Sequence, residues 1–106
     1  MTDTLLVITN TPDSDTAHTL AAHLIEARLA ACVNILAPCR SLYRWENRVE
    51  EGEEHPLLIK TTPERYAALE HAIIEHHPFD VPEIIAVPIT AGLPDYLAWV
   101  ATETRS

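Results

Sequence analysis

Residues 41–60 read SLYRWENRVEEGEEHPLLIK, two stretches of extended character meeting at Asn47, and their pairing decides the fold. Before the turn, Ser41, Leu42, Tyr43, Arg44 and Trp45 alternate in character. Beyond it, a period of two places Val49, Glu51, Glu53, His55, Leu57 and Ile59 on one face of a strand running to Lys60. An antiparallel hairpin follows. Its outer half joins the aromatics Tyr43 and Trp45 to Glu46, Glu50, Glu51, Glu53 and Glu54, and a two-stranded ribbon alone is marginal in water. Docking on another copy of the chain, with the aromatics buried and the glutamates at the rim, removes the conflict. The hairpin therefore predicts an oligomer.

Upstream, Leu5 to Thr9 form an apolar strand stopped by Asn10-Thr11-Pro12-Asp13. Ala17, Leu20, Ala21, Leu24 and Ala27 recur at helical spacing after Ser14, with Asp13 or Ser14 as the cap. Residues 31–36 return to strand character and either run on into the hairpin or break once near Pro38. Downstream, Thr62-Pro63 opens a second helix whose stripe is Tyr66, Leu69, Ile73 and His76, and Pro78 closes it. Residues 83–87, Glu-Ile-Ile-Ala-Val, predict a buried fourth strand, and Gly92 with Pro94 opens a last helix carrying Tyr96, Leu97, Trp99 and Val100. The order βαββαβ plus a C-terminal helix is that of an α+β, ferredoxin-like sandwich: a four-stranded antiparallel sheet with two helices on one face. One domain over residues 1–106 is expected.

Composition narrows the chemistry. Two glycines, Gly52 and Gly92, cannot build the closely spaced glycine loops that cradle phosphates or strain a nucleophile turn. Seven basic against 16 acidic residues give a net charge of −9, a surface that repels nucleic acid and anionic membranes. Cys32 and Cys39 stand too far apart in sequence for a zinc knuckle. With no leader pattern and no apolar run of membrane-spanning length, a cytoplasmic protein with reduced thiols is expected. No nucleophile has a neighbouring base in sequence and no cofactor loop exists, so neither catalysis nor an organic cofactor is expected.

Four blocks of residues carry a resemblance: Ala31-Cys32-Val33-Asn34-Ile35, Ser41-x-Tyr43-x-Trp45-Glu46, Ile59-Lys60-Thr61, and His76-His77-Pro78-Phe79-Asp80-Val81-Pro82-Glu83-Ile84. From about Leu5 to Val100 the chain resembles the CutA divalent cation tolerance proteins. The resemblance implies a homotrimer of ferredoxin-like subunits like that of the PII signalling proteins, with interlocked hairpins. It also implies heavy-metal tolerance and binding of copper or other divalent cations. Two positions depart from the family pattern. Thr9 stands where some members carry a first-strand cysteine proposed as a copper ligand, and Phe79 stands where tyrosine is common. The resemblance further implies a cleft between subunits near Tyr43, Trp45, Glu54, Lys60 and Glu83, open to a small molecule or filled by an interface ion pair and packed aromatics.

For the metal, His76 and His77 are the ligand candidates. Neighbours on a helix point about 100° apart, so they do not chelate as an i,i+4 pair would. They end the second helix, where unpaired carbonyls favour a positive or metal-bound imidazole. The competing reading has His76 continuing the core stripe while His77 caps the last carbonyls. His71 and Glu75 form either a shared metal site or a solvated pair; His18 and His23 do not converge without outside ligands. Glu50, Glu51, Glu53 and Glu54 gather hard cations or simply charge a strand edge against aggregation.

Overall fold

The computed structural model describes residues 3–105. β1 (Leu5–Thr11), α1 (Ser14–Glu26), β2 (Cys32–Ile35), β3 (Cys39–Trp45), β4 (Arg48–Thr61), α2 (Pro63–His76), β5 (Ile84–Pro88) and α3 (Pro94–Glu103) follow in chain order. The sheet runs β2-β4-β1-β5 with every pairing antiparallel, which is the ferredoxin-like topology, and β3 pairs separately with β4.

β4 is the spine. Its inner half pairs with β1 from His55 to Thr61 and with β2 from Leu57 to Lys60, while its outer half, Arg48 to Glu54, pairs with β3 alone. The break near Pro38 is therefore real: β2 and β3 lie end to end along one side of β4. Fourteen residues at about 3.3 Å each make a strand roughly 45 Å long, and the longest dimension of the molecule is 45 Å. The hairpin turns through Glu46 and Asn47, both left-handed with φ of 49° and 64°, between the paired Trp45 and Arg48. Two consecutive positive φ values define the tight turn whose twist matches the strands. Asn tolerates that geometry well; Glu46 is the strained member.

α1 and α2 cover one face of the inner sheet. The alternation of β4 and the helical stripes converge there: Leu20, Leu24, Leu57, Ile59, Leu69 and Ile73 are all fully buried. Burying each such side chain stabilises by about 1.5–3 kcal/mol. Asp13 caps α1, its carboxylate accepting the Thr16 amide at 2.7 Å. That bond holds the Asp13 carboxyl below its ordinary value. Thr62 occupies the cap position of α2 with Pro63 behind it, but its hydroxyl makes no capping bond.

Two expectations need correction, the burial of β5 and of His76, and two further readings gain detail. The face shared by Val49, Glu51, Glu53, His55, Leu57 and Ile59 is core only at its inner end, because the ribbon outruns the helices and leaves Val49 64% exposed. β5 is an edge strand, paired only with β1, and Ile85 and Val87 remain 48% and 44% exposed. Pro88, which has no amide to donate, sits at the end of that edge strand. α3 crosses to the β2 side, where Tyr96 lies beside the Cys32 thiol and Arg28 donates to the Glu103 carbonyl at 3.2 Å. It buries Val100 but leaves Tyr96 and Trp99 exposed. His76 leaves the core stripe and lies on the surface.

Leu57→Ala is expected to cost about 2–5 kcal/mol in denaturant unfolding. Asp13→Ala tests the cap against pH. A carboxyl whose native pKa is lowered below 3.8 contributes stability above that pH and loses it as pH falls through the native value. The melting temperature of the variant thus lies below wild type at neutral pH, and the gap closes under strong acid.

Candidate functional site

His77 ends α2 in extended backbone, φ −101° and ψ 134°, as the following Pro78 requires. This turns its ring inward, where it is only 8% exposed. Nε2 lies 2.6 Å from the Asn10 carbonyl, and Nδ1 lies 3.1 Å from the Phe79 amide. A carbonyl only accepts and an amide only donates, so Nε2 carries the proton and Nδ1 supplies its lone pair. Both nitrogens are spent. His77 neither caps the helix carbonyls nor has a lone pair to give a metal; it pins the end of α2 to β1 and positions the loop that follows.

His76 is oriented differently. Its Nδ1 donates to the Ala72 carbonyl one turn back at 2.9 Å, leaving the Nε2 lone pair without a partner among the described residues. The ring lies at the surface against that of His23 from α1, with centroids 4.4 Å apart. His76 and His77 therefore face different surroundings and do not form one ligand pair. Among the described residues, no group of three or more His, Cys, Asp or Glu side chains is placed to hold a metal.

Thr9 is fully buried, and its hydroxyl has no hydrogen-bond partner among the described residues. Its neighbours are satisfied: Thr11 donates to the His55 carbonyl at 2.9 Å and Thr61 to the Leu29 carbonyl at 2.7 Å. The two thiols are free; Cys39 is exposed, and Cys32 is half-buried beside Lys60. His18 donates to the Ser14 carbonyl at 2.8 Å, and His71 pairs with Glu75 in solvent. Two ribbon glutamates take cationic partners, Glu51 with Arg40 at 3.0 Å and Glu50 with Arg48 at 3.8 Å, and Glu53 lies 3.6 Å from the His55 ring. They line a charged strand edge.

A groove of about 790 Å³ lies between the hairpin and residues 78–83. Tyr43, Trp45 and Phe79 supply aromatic walls, and Glu54, Asp80 and Glu83 supply carboxylates. Asn10 holds Glu83 in place, its amide donating to Oε1 at 3.1 Å. Phe79 packs on the His77 ring at 4.8 Å, so the buried imidazole also supports this wall. Four of the five expected cleft residues thus meet in one chain. Lys60 does not line the groove; six residues beyond Glu54 on the same strand, it stands roughly 20 Å away and donates instead to Asn34. The loop wall, Pro78 to Pro82, carries no periodic signal and enters the sequence reading only within the block from His76 to Ile84 that carries the family resemblance.

His77→Phe keeps the ring but strands the Asn10 carbonyl and the Phe79 amide. A loss of about 1–3 kcal/mol is expected, with faster amide exchange across residues 78–83. Thr9→Val removes the orphaned hydroxyl at nearly constant shape and is expected to raise stability by about 1 kcal/mol; equal or lower stability would show that the hydroxyl is satisfied in solution.

The chain matches the family model described as CutA1 divalent ion tolerance protein over residues 5–103. A divalent-cation tolerance protein CutA from Thermus thermophilus is 42% identical over 99 residues, covering 93% of this chain and 96% of the relative. The crystal structure of CutA1 from Oryza sativa superposes with a TM-score of 0.95 at 38% identity, covering 98% of this chain and 95% of that one. A structure from Archaeoglobus fulgidus, described as a periplasmic divalent cation tolerance protein, gives a TM-score of 0.93 at 31% identity over 96% of this chain and 99% of that one. Sequence and fold agree along nearly the whole length, and this chain belongs to the CutA1 divalent ion tolerance family.

Proposed function

We propose that this protein is a non-catalytic binder of copper-class divalent cations that acts as a cytoplasmic homotrimer in heavy-metal tolerance. The observation that carries the cation reading is the unengaged Nε2 of the exposed His76, made available by the Nδ1 bond to Ala72. Neutral imidazole suits borderline-soft ions and favours Cu(II) over Zn(II). The relatives' description as divalent-cation tolerance proteins supports the same role. Two free thiols, one of them exposed, fit a reducing compartment.

The trimer is supported by what one chain leaves uncovered. The ribbon exposes Leu42, Tyr43, Trp45 and Val49, and the edge strand exposes Ile85 and Val87. Apolar surface of that extent marks an interface, and copies packed in a ring would cover both regions.

The groove favours a second reading, a PII-like sensor or scaffold whose ligand is a small organic molecule and whose metal binding is incidental. Its volume of about 790 Å³ is the size of a small-molecule site.

Static light scattering at micromolar concentration is expected to give three times the 11.8 kDa chain mass; a folded monomer overturns the assembly. Calorimetric titration is expected to show saturable Cu(II) uptake, tighter than Zn(II). No saturable uptake overturns the cation reading. Native mass spectrometry that finds an organic molecule lost with Glu54→Ala but retained in His76→Ala transfers the function to the groove.

A further inference from the structure

His23 and His76 are separated by 52 positions, and nothing in the sequence joins them. The fold brings them together. Arg65, in the first turn of α2, donates to the carbonyls of Ala27 and Arg28 just beyond α1, while His76, at the other end of α2, lines a recess of about 210 Å³ with Asp15, Thr16 and Thr19 of α1. The two helices are thus antiparallel. Helical side chains lean toward the N-terminus of their own helix, and the His76 ring does so, bonding to Ala72 and coming to rest on His23.

The two rings lie in stacking contact, centroids 4.4 Å apart with planes inclined by 32°, so a turn of the side chains brings one nitrogen of each within reach of a shared ion. Imidazole nitrogen favours Cu(II) over Zn(II). Each ring has a nitrogen to give. The His76 Nδ1 proton is fixed by Ala72, which leaves the Nε2 lone pair, and the His23 ring makes no hydrogen bond among the described residues. Solvent supplies the remaining positions, since among the described residues no third His, Cys, Asp or Glu side chain converges there.

We propose that His23 and His76 form a Cu(II) site bridging α1 and α2, distinct from the buried His77. This rests on the cation-binding reading above and assigns that role to a pair of residues. Metal held there ties two helices whose opposite ends Arg65 already joins, so Cu(II) binding raises the thermal stability of the folded chain.

The test uses Cu(II) alone on the full chain at pH 7.5, by calorimetry and electron paramagnetic resonance. The variants are His23→Gln, His76→Gln and, as control, His18→Gln. Wild type is expected to show nitrogen hyperfine structure from two imidazoles. Either His23→Gln or His76→Gln reduces this to one and weakens binding about tenfold or more, because a two-point hold becomes a single one; His18→Gln changes neither. Both rings lie at the helix surface, and His23→Gln alone suffices should the other variant fold poorly. A two-imidazole spectrum unchanged in His23→Gln overturns the bridging site while leaving cation binding intact. Wild type that takes up no copper overturns both.

Discussion

The structure depends on one strand serving three partners. Along its inner half β4 is hydrogen-bonded on both sides, to β1 and β2, and its side chains alternate between the helical core and the open face. Along its outer half it keeps only β3. Leu57 and Ile59 are fully buried, whereas Val49, in the same phase, is exposed because no helix reaches that far. The periodicity is unbroken, and what changes is the environment it meets.

The paired histidines divide two tasks between neighbouring positions. Pro78 forces His77 out of helical geometry, and the buried ring then satisfies a strand carbonyl and a loop amide together. His76 remains helical and bonds to its own preceding turn. One residue fastens the groove wall; the other keeps a ring nitrogen free of protein partners among the described residues. A buried imidazole with both nitrogens engaged is costly to recruit for a metal, because each lost bond leaves a desolvated group behind.

Much of this was legible from residue order. Ala17, Leu20 and Leu24 at helical spacing, Asp13 ahead of them, and proline at the start of α2 and α3 defined the helices through local chemistry. The turn around Asn47 and the alternation beyond it defined the hairpin. What local chemistry does not encode is which elements become neighbours. Residues 83–87 carry the β-branched, apolar signature of a buried strand, yet β5 lies at an edge, and strand propensity reports a pleated surface rather than what covers it. The stripe on α2 predicted the burial of Leu69 and Ile73 correctly but extended one turn too far to His76, where the helix outlasts the core. The meeting of His23 with His76 is a product of helix crossing and lies outside any window of sequence. For the cleft, the family resemblance named Glu54 and Lys60, which fall on one face of β4, but a shared face sets no distance along the strand, and only Glu54 lines the groove.

The break between β2 and β3 is matched by no break in β4. The chain reverses through a two-residue turn at the tip, and from there to the helical body a single backbone runs straight through. No swivel separates arm from body. The arm is a cantilever anchored at Leu57 and Ile59, and its angle is set by the twist of the parent sheet. Whatever grips Trp45 is thereby held at a fixed attitude to the hydrophobic layer beneath α1, so leverage at one end of the molecule is felt as torque at the other.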